Sequence, residues 1–431
     1  MKKVFLIVIA IIFGTSNAFA LTLKEALIQT YKNNTELNAE RENIKVSKED
    51  LTISKADYLP SATITGSKSK ESTNKLTNQT GGDASISDVD PLIASIKLEQ
   101  TLIDFSRDAE YEKKEIGISL EKAKLLKKEQ DIFYKAIEAY SGLILANEKL
   151  TINQRNLSLL KKQVETDKIR LERGQITVSD LAQSESSLAG AQAQFIQAEN
   201  EIITNKLNYE NIIGKISNTK SLKKNSKSIV VIPQTLNGAI DLSKQNNPDI
   251  IIAKLELEQS KKDIEIAESD LKPTATLSLE RSYSDDLSST YDEREKDVLK
   301  ATVTWPFYSG GKKRITVSKN QSLNIRKRLL LDNAIKTNNT IVATAWANFQ
   351  SSKSFLDSVR SQVRAAQIAN EGIAAEYERG SGRTTLDVIQ SNTLLLDAKI
   401  SLANSERNYL LAQYNLLKAT GLLNSNYLKL K

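Results

Sequence analysis

Proline placement constrains this chain more than any other feature. All six prolines (Pro60, Pro91, Pro233, Pro248, Pro273 and Pro306) fall at breaks in the hydrophobic pattern, with none between Pro91 and Pro233 or after Pro306. Proline removes a helix hydrogen bond and clashes with the preceding turn, so its absence permits unusually long helices. The pattern predicts helices over 106–172 and 311–378, each on the order of 100 Å at about 1.5 Å per residue. That is too long for the core of an ordinary globular domain. Within the first, Ile137, Tyr140 and Ile144, then Leu157, Leu160 and Val164, keep the three-four spacing of one buried face.

Both helices end in glycine and restart at once. The later turn reads Tyr377-Glu378-Arg379-Gly380-Ser381-Gly382-Arg383-Thr384-Thr385-Leu386-Asp387. Glycine supplies the left-handed dihedrals that end a helix and reverse the chain. Thr384 and Thr385 offer N-cap hydroxyls, and Asp387 lies in the following first turn, where its charge suits the helix dipole. The earlier turn, Glu172-Arg173-Gly174-Gln175-Ile176-Thr177-Val178-Ser179-Asp180, has the same parts, with Gln183 answering Gln390. Each is the tip of a long antiparallel hairpin, and two copies make internal duplication the first hypothesis. After the second tip, Leu386, Ile389, Thr393, Leu396, Ile400, Ala403, Arg407, Leu410, Tyr414 and Leu417 alternate steps of three and four. This is coiled-coil periodicity with two polar intrusions. After the first, Ser186, Ser187, Ala189, Gly190, Ala191 and Ala193 predict neighbours packed tightly against the helix.

Four shorter segments alternate with a period of two, the mark of strands with one apolar and one polar face. In 92–102, Leu92, Ala94, Ile96, Leu98 and Leu102 oppose Ser95, Lys97, Glu99 and Thr101. In 274–283, Ala275, Leu277, Leu279 and Tyr283 oppose Thr274, Thr276, Ser278 and Glu280. In 297–307, Leu299, Ala301, Val303, Trp305 and Phe307 alternate with Lys300, Thr302 and Thr304; in 61–67, Ala62 and Ile64 oppose Thr63 and Thr65. Segments 71–91 and Asp285–Lys296 read as exposed polar loops joining the strands. At about ten residues each strand is long enough to cross a bilayer at a tilt. Val303 is then expected to face lipid and Thr302 the lumen. Four strands cannot close a barrel, and open edges are forbidden in lipid, so a spanning barrel must be shared between protomers. Soluble hairpins on a helical protein are the competing interpretation.

The N-terminus favours the membrane. Lys2 and Lys3 precede an apolar run from Val4 to Phe13, and Ala18-Phe19-Ala20 supplies an A-x-A cleavage site. Residues 1–20 therefore read as a signal peptide that is too short to span, without a nearby cysteine for a lipid anchor. Loss of the two lysines takes the formal charge from +7 to +5, with no basic cluster, so nucleic acid is not an expected partner. The chain has neither cysteine nor histidine, which removes thiolate metal sites, the usual general base and the commonest metal ligand. Together with the lack of a nucleophile elbow or phosphate loop, this points away from an enzyme, and no cofactor or metal is expected.

The duplication aligns throughout. Leu21–Glu36 with Asn33-Asn34 answers Leu236–Asp249 with Asn246-Asn247, and Tyr58-Leu59-Pro60 answers Leu271-Lys272-Pro273. Glu99–Asp104 answers Val303–Tyr308, and Asn211-Ile212-Ile213-Gly214 answers Lys418-Ala419-Thr420-Gly421. The chain divides into a first repeat at 21–214, a polar linker at 215–235 carrying Lys220, Lys223, Lys224 and Lys227, and a second repeat at 236–431. The fold class is mainly α with a small β part: duplicated helical hairpins plus four strands per protomer.

This order of elements resembles the TolC family of outer-membrane efflux proteins over essentially the whole mature chain. The residues that carry the resemblance are Leu21-Thr22-Leu23-Lys24-Glu25-Ala26-Leu27, Asn33-Asn34, Leu59-Pro60, Trp305-Pro306-Phe307-Tyr308-Ser309-Gly310-Gly311 and the Arg-Thr-x-Leu-Asp-Val run at Arg383–Val388. The resemblance implies a homotrimer with a twelve-stranded barrel in outer-membrane lipid and an α-helical barrel reaching through the periplasm. Coupling to a periplasmic adaptor and an inner-membrane RND pump or ABC exporter follows. It further implies that the tips form a gate. Asp387 falls at a pore constriction whose second acidic position is Gln390 here; Tyr377 and Arg383 fall at gate contacts, with Asp180 as partner. Gly174 and Gly380 fall where adaptors dock; the extra residue between Gly380 and Asp387 leaves Gly380 and Gly382 as alternatives for the second docking glycine. Small-molecule efflux and type I protein secretion both fit. The alternative outside this class is an exported periplasmic coiled-coil scaffold or adhesin without a pore, which has no need of four period-two strands.

Overall fold

The computed structural model describes residues 21–72, 80–82, 88–224, 232–288, 291–380 and 382–430. The leader at 1–20, most of the loop after the first strand, Lys227 of the linker and Ser381 of the second tip lie outside the described residues. The elements are α1 (Leu23–Asn33), α2 (Thr35–Ala56), β1 (Ser61–Lys68), β2 (Leu92–Ile103), α3 (Arg107–Glu172) and α4 (Val178–Ile212). They are followed by α5 (Leu236–Asn246), α6 (Pro248–Ser269), β3 (Thr274–Ser288), β4 (Tyr291–Thr304), α7 (Lys312–Glu378) and α8 (Thr385–Ala419). The two proline-free stretches thus become unbroken helices of 66 and 67 residues.

In space the chain forms two compact units, each built from pieces of both halves. One comprises Met1–Asn38, Lys128–Asn247 and Asn339–Lys431. Its main core joins Leu23 and Leu27 of α1, Phe133, Ile137, Tyr140 and Leu143 of α3, Tyr209 of α4, Tyr414 and Leu417 of α8, and Leu423. The asparagine pairs explain themselves here. Asn34 and Asn247 each break a helix and donate Nδ2 to the last turn of a returning helix, at Ile212 O and Ala419 O, both at 3.1 Å. Gly421 follows α8 at φ +79, and a Cβ there would lie 2.2 Å from Asn246 O, so only glycine fits. The linker is anchored as well: the Tyr140 hydroxyl donates to Lys223 O at 2.7 Å, and Lys224 reaches Glu148 at 2.5 Å and also pairs with Glu406. Burial works against the Lys224 charge, but the hydrogen bonds to these carboxylates outweigh it and hold the ammonium above its ordinary pKa.

The other unit, Ala39–Lys127 and Pro248–Asn338, carries the whole sheet. The strands pair antiparallel in the order β1-β2-β3-β4. Their register places Ala62, Leu98, Leu279 and Leu299 in one row across the sheet, while the neighbouring row on the opposite face is Thr63, Lys97, Glu280 and Val298. The helices beneath are joined largely by polar contacts, including Lys113–Asp263 at 2.6 Å and Asn324 Nδ2 to Ser260 Oγ at 2.8 Å.

Four expectations need correction. The segment Asp285–Lys296 is not a loop: β3 and β4 stay paired from Thr274↔Thr304 through Asp285↔Glu293, with Ser288 opposite Tyr291. Charged pairs such as Arg281–Glu295 at 3.0 Å take over where the apolar alternation stops, and a hairpin ladder needs only backbone groups to continue. At the other end β4 stops at Thr304, because Pro306 has no amide to donate. A bulge sets Leu102 aside and puts Ile103 opposite Ala275. In α4, Ser186, Ala189, Gly190 and Ala193 are exposed in the chain and only Ala191 of the small-residue run is buried.

Candidate functional site at the hairpin turns

Each turn is made by local chemistry. Gly174 and Gly380 sit two residues beyond α3 and α7 at φ +67 and +74, donating their amides to Leu171 O and Tyr377 O at 2.9 and 3.2 Å. Thr177 then caps α4 and Thr384 caps α8. The second turn is one residue longer, and Gly382, at φ +79, absorbs the difference. Gly380 is therefore the counterpart of Gly174. Among the described residues, nothing beyond their own chain neighbours lies within 4 Å of the Cβ position of any of the three, so in the single chain there is room at these turns.

Reciprocal capping fixes the two acids. Asp180 Oδ2 accepts from Thr177 N at 2.9 Å and from its hydroxyl at 2.7 Å; Asp387 Oδ2 accepts the equivalent pair from Thr384 at 2.9 and 3.0 Å. These backbone and hydroxyl donors hold both carboxyls below the ordinary Asp range. Each helix N-terminus thus displays a pinned negative charge. Gln390, one turn after Asp387, is exposed.

Arg383 does not meet Asp180 within the chain. Its Nε donates to Glu376 Oε2 at 2.6 Å across the same turn, and that hydrogen bond raises the guanidinium pKa. Asp180 has Oδ2 committed to its own cap. Tyr377 also turns elsewhere. It is 8% exposed, and its hydroxyl lies 3.2 Å from Asp167 Oδ1 and 3.0 Å from Thr385 Oγ1. Arg170 stacks its guanidinium 4.2 Å from the Tyr377 ring centre.

Asp167 is the residue that sequence reasoning missed. It is fully buried and accepts from Ser184 Oγ at 2.6 Å and Gln163 Nε2 at 2.9 Å as well as from Tyr377. A desolvated carboxylate is tolerable only when its lone pairs are satisfied, and three donors do so here. The cluster ties α3 and α4 to α7 and α8. Its readable sign was the continuation of the three-four spacing from Leu160 and Val164 onto Asp167. The Thr385 hydroxyl meets Tyr377 and the Ser391 hydroxyl accepts from Asn370 Nδ2 at 3.0 Å, and near the tip α8 buries Thr385, Val388 and Ser391 while Leu386 and Thr393 of the expected stripe are exposed.

The family model described as "Outer membrane efflux protein" matches residues 26–215 and again 239–422. "Outer membrane efflux protein BepC" of Brucella suis biovar 1 is 25% identical over 416 residues, covering 96% of this chain and 88% of that protein. "Alkaline protease secretion protein AprF" of Pseudomonas aeruginosa is 22% identical over 428 residues, covering 96% and 87%. Among solved structures, the Campylobacter jejuni CmeC outer membrane channel superimposes with a TM-score of 0.80 at 16% identity, over 93% of this chain and 85% of that one.

Proposed function

The chain belongs to the outer membrane efflux protein family, and from that premise we propose how it works as an outer-membrane exit channel. The observation that carries the proposal is a four-stranded sheet with β1 and β4 as unpaired edges and exposed apolar rows such as Leu98, Leu279 and Leu299. In lipid an unpaired strand edge is untenable, and four strands are half of the smallest closed barrel, about eight. Three copies joined β1 to β4 give a closed barrel of twelve. The exposed apolar residues of α4 (Ile196, Ile203, Leu207) and α7 (Ile341, Phe355, Ile368) are then covered between copies.

The rest follows as one reading. Residues 1–20 are cleaved on export, and the chain functions as repeats at 21–214 and 236–431 joined by the linker at 215–235. The turns at Gly174, Gly380 and Gly382 receive a periplasmic adaptor, which couples the channel to an inner-membrane RND pump or ABC exporter. Asp387 and Gln390 line the constriction. Tyr377, Arg383 and Asp180 hold it closed, the last two meeting between copies. The relatives' names span efflux and protease secretion, so both cargo classes fit.

Conductance in a planar bilayer tests this directly. Purified protein should form discrete channels that prefer cations, and Asp387→Ala should weaken that preference because the ring of fixed charge is gone. Absence of channels would remove the function; channels with unaltered selectivity in Asp387→Ala would move the constriction elsewhere.

A further inference from the structure

Four helices of the sheet-bearing unit form a row. α2 meets α3 through Asp50–Lys114 at 3.5 Å, α3 meets α6 through Lys113–Asp263 at 2.6 Å, and α6 meets α7 through Glu256–Lys327 at 2.8 Å. α2 and α7 stand at the two ends of the row, each with one side uncovered: Val46, Ile53, Ile315 and Leu329 are all at least 60% exposed. In the duplicated sequence α2 corresponds to α6 and α3 to α7. The chain makes the α3–α6 contact within itself; the corresponding contact, α7 with α2, requires a second copy. The sheet leads to the same neighbour. β1 follows α2 and β4 precedes α7, so joining β4 to the next copy's β1 brings α7 alongside that copy's α2.

Register transfers as well. Lys113 lies six residues inside α3 and Asp263 six from the end of α6, while Lys127 and Asp249, paired at 2.5 Å, lie twenty from the same two ends. Counted likewise from Lys312 of α7 and Ala56 of α2, Ile315 falls opposite Ile53, Lys319 opposite Glu49 and Arg326 opposite Glu42. Val46 and Leu329 continue the two stripes at steps of three and four, the spacing of a helix–helix seam. All of these residues are exposed in the chain. Charge agrees with this register. No acid occurs between Asp297 and Asp332, and among the described residues Lys319 and Arg326 make no ion pair. Glu49 makes none either, and Glu42 holds only Lys45 of its own helix, at 2.8 Å. Lys45 and Lys48, the bases between these two acids, fall outside the stripe.

We propose that the α7 face built on Ile315, Lys319 and Arg326 docks on the next copy's α2 face built on Ile53, Glu49 and Glu42, a proposal that rests on the shared-barrel reading above. Isoleucine meets isoleucine nearest the sheet, and two ion pairs of one polarity follow. Sliding either helix by one turn sets charge against isoleucine, so the seam fixes the level at which neighbouring copies join as well as the partner they choose.

The chain has no cysteine, so disulfide trapping reads this seam without background. Ile53→Cys with Ile315→Cys, oxidised in the assembled protein, should give covalent dimers and trimers on denaturing gels without reductant. Ile53→Cys with Leu329→Cys should run as monomer. Leu329 lies about 21 Å further along α7 at about 1.5 Å per residue, and a disulfide needs Cα atoms within about 7 Å. Glu49→Lys and Lys319→Glu should each lower the trimer fraction in mild detergent at low salt, and the two together should restore it. A conducting trimer that does not cross-link through Ile53→Cys and Ile315→Cys, or that cross-links equally through the control pair, overturns this seam and leaves the channel standing. A double charge reversal no better than the single ones overturns the Glu49–Lys319 pairing. A wild type with neither oligomer nor conductance removes the seam and the channel together.

Discussion

At the residue scale the decisive interaction is the one between Asp167 and Tyr377. Removing either partner leaves the other buried and under-satisfied, which typically costs about 1–3 kcal/mol. Asp167→Ala and Tyr377→Phe should therefore each speed hydrogen exchange at the start of α8, around Thr385–Ser391. The double variant should be less than additive, with a coupling of about 1–2 kcal/mol. Strict additivity would mean that the 3.2 Å contact carries no energy. The capping acids respond to pH instead. Asp180 and Asp387 are held below the ordinary Asp value of 3.8, so the unfolded chain binds protons first as pH falls. Their stabilisation is complete above that value and is lost as pH drops through the lower folded values. Fraying of α4 and α8 at their first turns should begin below 3.8 and be absent between pH 5 and 8, as followed by exchange at Val178–Leu181. The caps and turn glycines were legible in the sequence because they depend on neighbours a few residues away. The Asp167 partner of Tyr377 was not, because it lies 210 residues away and is brought there by the packing of four helices; Arg383 takes Glu376 across its own turn, a choice the extra turn residue makes and spacing alone does not show.

At the scale of elements the two faces of β4 make the sharpest claim. Val303 is 73% exposed in the chain and lies in the apolar rows, whereas Thr302 lies among polar neighbours. Val303→Arg should cost roughly 2–4 kcal/mol if it meets hydrocarbon near mid-bilayer, while Thr302→Arg is solvated in the lumen. Yield of folded protein from bilayers, scored by resistance to protease, should fall for the first and hold for the second. Equal yields would mean that the sheet does not face lipid this way. The starts of β1, β2 and β3 were legible from alternation alone, yet the turn end of the β3–β4 hairpin, with the start of β4 at Tyr291, was not. Beyond Tyr283 in β3 and before Val298 in β4 the apolar-polar alternation gives way to polar and charged residues, and hydrophobic periodicity has nothing to report there although the backbone ladder continues. The α8 stripe holds from Leu396 to Leu417 and departs only beside the tip, at Leu386 and Thr393. Serine and threonine can pack as closely as leucine when a buried tyrosine and carboxylate need their hydroxyls.

At the scale of the whole molecule, the chain exposes too much apolar side chain to be an end state. Phe355 is 58% exposed, Ile203 60% and Leu207 62%, although none lies in the sheet. The unit that holds these three residues already has a sealed core, built on Tyr140, Tyr209, Phe133 and Leu417. Scattered exposed leucines need no explanation, but a stripe along a helix face implies a covering surface. Burying one such side chain contributes about 1.5–3 kcal/mol, and each contact recurs at every seam of a symmetric oligomer. The wild type should therefore run in mild detergent as a trimer by light scattering. Ile203→Glu with Phe355→Glu should shift it toward monomer without loss of helix signal, because the substitutions leave the protomer core untouched. A monodisperse wild-type monomer would remove the shared barrel. A charged double variant that stays trimeric would instead place the seam on other faces of α4 and α7, and leave the exposed stripe to line the pore or meet the adaptor.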